Sequence, residues 1–201
     1  MVSCWSVGEL AGEVEGVVVD RLVGHGRPHR VEELTFLRAI GFEELDGVVS
    51  ATSGYTGGDV ENPSYKQVCT GTTGHAEALE IVYDPKKISF DELLEVFWET
   101  HDPTTLNRQG NDVGPQYRSG VFYHNDEQKQ KAEKYKAELN KSGAFDNPIV
   151  TEIVPAVKFY PAEDYHQQYF ENNENTNPYC TIVIRPKLDK FRKVFKDKLK
   201  K

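Results

Sequence analysis

Cysteine is scarce in this 201-residue chain, and the three present, Cys4, Cys69 and Cys180, stand far apart. Three scattered thiols exclude a disulfide framework. The absence of any Cys-x-x-Cys pair excludes a zinc ribbon. Few, unpatterned thiols fit a reducing compartment, so a cytoplasmic protein is expected. Long apolar runs are also missing: none reaches the roughly 18–20 residues of a membrane helix. The start, Met1-Val-Ser-Cys-Trp-Ser-Val-Gly8, has no basic residue and no sustained apolar stretch, so no secretory signal is expected. The six histidines form no His-x-x-x-His or Cys/His cluster with ligand spacing, and no metal site is expected. The glycine-rich Thr70-Gly-Thr-Thr-Gly74 lacks the Gly-Lys-Ser/Thr ending of a phosphate loop. There is no internal repeat and no low-complexity tract.

What is present reads as one globular domain, with 38% hydrophobic and 28% charged residues. The net charge of −8 is unevenly spread. From Arg185 to Lys201 there are nine Lys/Arg against two Asp, so the remainder carries −15. An acidic body argues against nucleic-acid binding, which needs clustered cations. The basic tail has Leu188, Phe191, Phe195 and Leu199 at helical spacing, which predicts an amphipathic helix with a solvated lysine face; the other reading is contact with an acidic partner.

Residues 1–41 are atypical, rich in Gly, Val and Glu and broken at Gly24-His-Gly-Arg-Pro28, and a regular domain is expected over 42–201. Short β-branched runs predict strands at Val48–Ser53, Leu79–Tyr83, Ser119–Tyr123 and Pro148–Val154. Ser89 and Glu92 form a capping-box pattern, and Phe90, Leu93, Leu94, Phe97 and Trp98 supply one apolar face, so a helix follows Ser89 until His101-Asp-Pro103 ends it. A charged helix is expected over Asp126–Lys141, and another from Pro161 to Phe170, with proline in its first turn. Strands and helices alternate without strict βαβ regularity, which gives an α+β fold: a mixed sheet with flanking helices and long functional loops.

Two loop segments concentrate chemistry. The first is Gly54-Tyr-Thr-Gly-Gly58 followed by Asn62 to Glu77; the second runs from His101 to Tyr117. Tyr65, Cys69, His75, Glu77, His101, Asp112, Tyr117 and His166 all sit in or beside such segments. A carboxyl near tyrosines in a partly dry pocket has its pKa raised and can donate a proton near neutral pH. The competing reading of Glu77 is a solvated residue at a strand entry. The histidines read as local hydrogen-bonding groups.

Several blocks then occur in order: Gly54-Tyr-Thr-Gly-Gly58, Asn62-Pro-Ser-Tyr65, Val68-Cys-Thr-Gly71, Gly74-His-Ala-Glu77, Val82-Tyr-Asp-Pro85, Phe97 to Asp112, Gln116-Tyr-Arg-Ser119 and Phe159-Tyr-Pro-Ala-Glu-Asp-Tyr-His-Gln-Gln168. Together they closely resemble the A-type peptide methionine sulfoxide reductases, from about Asp46 to Cys180. The resemblance implies a ferredoxin-like α+β fold and an oxidoreductase of protein repair under oxidative stress. Its substrate would be methionine S-sulfoxide, free or in proteins. No cofactor would be bound; thioredoxin would be the reductant and partner, and the chain would be a monomer. By resemblance Glu77 is the proton donor, Tyr65 and Tyr117 hydrogen-bond the sulfoxide oxygen, and Asp112 orients the same pocket. Cys180, in Pro178-Tyr-Cys180, resembles a resolving cysteine; the alternative is an inert start to the strand-like Thr181–Ile184.

One element departs from the pattern. The family's nucleophile lies in Gly-Cys-Phe-Trp at the start of the first helix, and counting back from Asp46 puts that cysteine at Leu34, with Thr35 and Phe36 in the aromatic slots. No thiol and no tryptophan stand there. Three explanations follow: a catalytically dead paralogue that binds oxidised methionine or thioredoxin, a misread N-terminal segment (a frame error or a passed-over selenocysteine codon), or substitution by Cys4 or Cys69. The abrupt change of composition near Phe42, with every later block intact, favours the misread segment. Cys69 reads otherwise as a small buried residue.

Overall fold

The computed structural model describes residues 15–20, 39–164, 167 and 184–201. Cys4, Leu34, Thr35, Phe36, His166 and Cys180 lie outside the described residues, as does most of the helix expected over Pro161–Phe170. The strands are β1 (Glu15–Asp20), β2 (Val48–Thr56), β3 (Ala76–Tyr83), β4 (Arg108–Gln109), β5 (Asp112–Val113), β6 (Gly120–Tyr123), β7 (Glu152–Pro155) and β8 (Tyr160–Pro161). The helices are α1 (Tyr65–Val68), α2 (Phe90–Glu99), α3 (Asp126–Ser142) and α4 (Arg185–Val194), besides a helical stretch over residues 39–43.

Six strands form one sheet in the order β7-β6-β1-β3-β2-β8, while β4 and β5 pair separately. The inner four, β6-β1-β3-β2, are antiparallel throughout. With residues 39–43 between β1 and β2, and α2 between β3 and β6, this is the split βαβ arrangement of ferredoxin-like folds. β7 joins β6 in parallel, and α3 makes the long crossover that a parallel pair requires. The expected α+β class therefore holds. Sequence reading gave residues 1–41 no element, yet Glu15–Asp20 pairs with β3 on one side and β6 on the other.

Period-two alternation assigns the faces of β3. Leu79, Ile81 and Tyr83 enter the main core with Val121, Leu93, Leu94, Phe97 and Trp98, whereas Ala76 and Ala78 pack with Phe122 on the opposite face. The capping box at Ser89 forms as expected: its hydroxyl accepts from the Glu92 amide, and the Glu92 carboxylate accepts from the Ser89 amide at 2.9 Å. Helix α3 begins at the Asn125 cap and ends at Gly143, whose φ of 70° is the left-handed cap conformation. The tail begins as the amphipathic helix expected, with Leu188 buried and Phe191 packed on the core, but it ends at Val194. Phe195 is its buried C-cap, and Leu199 follows a 3-10 turn and bridges to Leu45.

Three other expected elements are corrected. The strand predicted from Pro148 begins only at Glu152, because the preceding amides are engaged elsewhere: Ile149 donates to Asn140 Oδ1 and Val150 to the Pro103 carbonyl, each at 2.8 Å. Pro161 lies in β8 rather than in a helix; it pairs with Gly54 at the edge of the sheet, where a residue without an N–H sacrifices no ladder bond. β3 starts at Ala76, three residues earlier than expected, which places Glu77 inside a strand. Among the described residues, no helix is long and apolar enough to cross a membrane.

The tail is fastened to α2 through charge. Lys198 Nζ lies 3.0 Å from Glu92 Oε1 and 3.1 Å from Glu95 Oε2. The amide of Ser89 is the chief cause that holds the Glu92 carboxyl below its ordinary 4.5; burial opposes the shift and Lys198 reinforces it. A depressed carboxyl contributes stability above its unfolded value and loses it as pH falls through the folded value. Glu92→Gln keeps an acceptor for Ser89 and loses the charge. At neutral pH it is expected to cost about 0.5 kcal/mol, a figure reduced by solvent exposure of the pair. Urea unfolding should show that difference vanish as the pH is lowered below the carboxylate range.

Candidate active site

The site grows from the pairing of β2 with β3. Tyr55 and Glu77 are directly opposed, and residues opposed in an antiparallel pair project to the same face. Alternation along β3 sets Glu77 on the face of Leu79, Ile81 and Tyr83, so its carboxyl continues the stripe of the core. It is 5% exposed, which rules out the reading of a solvated strand entry. Tyr55 is 3% exposed and packs with Val68, Ala162, Tyr65 and Tyr160.

Beyond Thr56 the chain makes a long loop before returning as β3, and glycine and histidine fold it on itself. A Cβ at Gly58 would run into the His75 amide and the Thr73 carbonyl, so only glycine lets the two limbs touch. His75 is 1% exposed and tied at both ring nitrogens. Nδ1 accepts from the Gly58 amide at 3.2 Å, and Nε2 lies 2.8 Å from the Val60 carbonyl. An amide must donate and a carbonyl must accept, which fixes a neutral ring with its proton on Nε2. His75 braces the loop.

Inside this segment, where the sequence pattern predicts only loop, Ser64-Tyr-Lys-Gln67 makes a capping box and a single helical turn, α1. Tyr65 is its first residue and is half-buried. The Tyr65 amide donates to Glu163 Oε1 at 2.8 Å, and the Tyr55 phenol donates to Glu163 Oε2 at 2.9 Å. At the other end of α1, Gln116 Nε2 donates to the Cys69 carbonyl at 3.4 Å. Cys69 is half-buried rather than buried, serves as the C-cap of α1, and forms no disulfide among the described residues.

Tyr117 closes a 3-10 turn over Pro115–Tyr117 and is 4% exposed; the turn packs against β3. Asp112 precedes it on the β4–β5 hairpin and is half-buried, its residue paired with Gln109. The Gln109 carboxamide is buried and bonds twice to Asp102, accepting from its amide at 3.1 Å and donating to its carbonyl at 2.8 Å. His101 is buried between α2 and β6: Nδ1 donates to the Phe97 carbonyl at 2.7 Å, and Nε2 lies 2.8 Å from Ser119 Oγ, itself 2.8 Å from Thr151 Oγ1. His101, like His75, is a brace.

Glu77 thus lies near the start of β3 opposite Tyr55, Tyr65 packs with Tyr55, and the turn that carries Tyr117 packs against β3. Asp112 stands on the adjoining hairpin. Tyr55, Gln116 and Glu163 were missed as site residues, although Tyr55 sits in Gly54-Tyr-Thr-Gly-Gly58 and Glu163 in Pro161-Ala-Glu-Asp164. Chemically the arrangement offers one sequestered carboxyl and phenols that can donate to an oxygen. Among the described residues, no group of three or more His, Cys, Asp or Glu is arranged to hold a metal ion.

Comparison with known proteins gives the same direction. The family model described as peptide methionine sulfoxide reductase matches residues 38–199, beginning downstream of Leu34. The chain is 55% identical over 159 residues to peptide methionine sulfoxide reductase MsrA 1 of Rhodopirellula baltica, covering 79% of this chain and 81% of that protein. It is 46% identical over 182 residues to MsrA of Trichodesmium erythraeum, covering 90% and 99%. Among solved structures, methionine sulfoxide reductase A of Corynebacterium diphtheriae superposes with a TM-score of 0.68 at 35% identity, covering 83% of this chain and 77% of that one. Reduced Mxr1 of Saccharomyces cerevisiae superposes with a TM-score of 0.71 at 33% identity, covering 84% and 90%. With the blocks of sequence and the ferredoxin-like sheet, these matches establish that the chain belongs to the peptide methionine sulfoxide reductase family.

Proposed function

We propose that this chain reduces the S epimer of methionine sulfoxide, free or in polypeptides, to methionine, and so repairs oxidised protein. The observation that carries the proposal is Glu77: a carboxyl 5% exposed on a core strand, directly opposite Tyr55, with Tyr65 packed beside that phenol. Burial opposes ionisation of a carboxyl and leaves it able to donate a proton near neutral pH. Sulfoxide oxygen leaves sulfur only when protonated. Glu77 supplies that proton, Tyr65 and Tyr117 donate hydrogen bonds to the oxygen, and Asp112 orients the pocket. A cysteine thiolate attacks the sulfoxide sulfur. As the protonated oxygen passes from the substrate sulfur to the cysteine sulfur, the new sulfur–sulfur bond breaks with its electron pair staying on methionine. The sulfoxide has gained two electrons, and the cysteine, now a sulfenic acid, has lost two. A second thiol, for which Cys180 is the candidate, displaces that oxygen as water to form a disulfide, and thioredoxin reduces it. The reducing cytoplasm suits such thiols, and a monomer suffices.

This sequence lacks the motif's nucleophile and its tryptophan, since Leu34 stands in the cysteine slot and Thr35 and Phe36 in the aromatic ones. We attribute the departure to the reading of residues 31–41, because every block from Gly54 onward is intact. The polypeptide as it stands is expected to turn over sulfoxide with dithiothreitol at least about 10³-fold more slowly than a version carrying Gly-Cys-Phe-Trp in that segment. Leu34→Cys alone should give weak activity: Glu32 and Glu33 beside it disfavour the thiolate, and Thr35 and Phe36 still stand where the motif has phenylalanine and tryptophan. Robust single-turnover release of methionine by the unmodified chain would overturn this, and mapping the oxidised thiol would name the substitute.

In the repaired background, Glu77→Gln removes the proton and keeps the shape. Reduction is expected to slow by about 10²-fold or more, while alkylation of the thiol proceeds unchanged. An unaltered rate across pH 6–9 would remove Glu77 from the proton-donor role.

A further inference from the structure

The helix that carries Tyr65 cannot stand alone. Four residues lie far below the length at which a helix persists in water, so its place is set by tertiary contacts. Ser64 and Gln67 close the capping box locally, and that box leaves the Tyr65 amide to another acceptor. The acceptor is Glu163, 98 residues away, whose second oxygen takes the phenol proton of Tyr55. One carboxylate therefore joins the residue opposite Glu77 to the residue that begins the helix.

Glu163 is itself held in register. Ala162 donates to the Ser53 carbonyl at 2.8 Å, and β8 pairs Pro161 with Gly54 and Tyr160 with Tyr55. The Gln167 carboxamide accepts from the Ser53 amide at 3.2 Å and donates to the Ser53 and Ala162 carbonyls at 2.9 and 3.0 Å. The carboxylate is thus anchored to the same strand that carries Tyr55. A charged acceptor on a helix-entry amide is among the stronger hydrogen bonds a protein makes, and it complements the helix dipole.

We propose that Glu163 is a positioning residue for Tyr65: by gripping the Tyr65 amide and the Tyr55 phenol together, it sets the Tyr65 ring at the sulfoxide beside Glu77. The proposal rests on the functional reading above only for what the ring meets. Where the ring stands is a property of the chain alone.

Two measurements on the full chain separate these parts. In the first, amide hydrogen exchange is followed without substrate. Glu163→Ala is expected to accelerate exchange at Tyr65 by about tenfold or more, with Leu79 and Ile81 in the core unchanged. Glu163→Gln, whose carboxamide oxygen can still accept from Tyr65, should restore most of the protection. Unchanged Tyr65 exchange in Glu163→Ala, or equal acceleration throughout the core, overturns the positioning role. The Gln variant keeps the test valid if the Ala variant folds poorly.

In the second, N-acetyl-methionine S-sulfoxide N-methylamide is titrated by NMR into a parent chain carrying Gly-Ser-Phe-Trp in place of residues 33–36, which restores the aromatic slots without a thiol to consume the probe. Tyr65→Phe and Glu163→Ala should each weaken binding by about tenfold, and the double variant should be no weaker than either single one. Additive losses would mean that Glu163 acts elsewhere than through Tyr65 and would sink the proposal. If Tyr65→Phe binds as well as the parent, or the parent does not bind, the sulfoxide reading fails and the link to substrate fails with it; the exchange of Tyr65 still decides the positioning on its own.

Discussion

Antiparallel pairing of β2 on β3 in one register governs most of what this molecule can do. Side chains on a strand alternate in direction, so a slip by one residue would turn Glu77, Leu79 and Ile81 together to the opposite face and bring Ala76 and Ala78 in their place. The register is strongly specified because one face of β3 is buried along its whole length, whereas the other carries Ala76 and Ala78 buried and Glu80 and Val82 half-buried. The hydrophobic core thereby fixes the location of a carboxyl that no hydrophobic preference would put there. Stability and chemistry share one constraint, and the same pairing that buries Ile81 withdraws Glu77 from water.

Around that strand end the loops are held by side-chain hydrogen bonds to backbone groups rather than by apolar packing. His75 joins Gly58 to Val60, Gln109 joins the hairpin to Asp102, Gln116 joins the Tyr117 turn to the end of α1, and Glu163 joins α1 to β2. The bonds span from seven residues, between Gln109 and Asp102, to 108, between Tyr55 and Glu163, and all but the one from the Tyr55 phenol satisfy a backbone group. Such braces give definite geometry to segments with little apolar content, as a polar substrate requires of the loops that receive it.

Much of this could be read from the chain. The capping box at Ser89, the amphipathic helix of the tail and the strands at Val48 and Ser119 depend on local pattern, and they formed where pattern put them. Pro161 and Pro148 misled because their roles depend on neighbours: an edge position for one, and acceptors from Asn140 and Pro103 for the residues after the other. The strand at Glu15 escaped notice because a short valine run beside many glycines has no distinguishing period until β3 and β6 flank it. At the site, Glu77, Tyr65, Asp112 and Tyr117 were visible through family blocks. Tyr55 and Glu163 were not, since their importance lies in a contact across 108 residues that no spacing reveals.

The tail has a bearing on the order in which the fold can assemble. Leu199 bridges to Leu45, the amide of Asp46 donates to the Lys198 carbonyl, and Arg192 grips Glu44 across 148 residues. Phe42 and Leu45, both fully buried, are covered in part by side chains that follow so late in the chain. On a ribosome the segment just before β2 would emerge with its apolar surface exposed and would keep it so until the residues near Leu188 and Phe195 arrived. Non-local closure of this kind slows folding and prolongs the interval in which that surface is open to other chains. Until that closure, the chain depends on whatever shields nascent protein from such contacts.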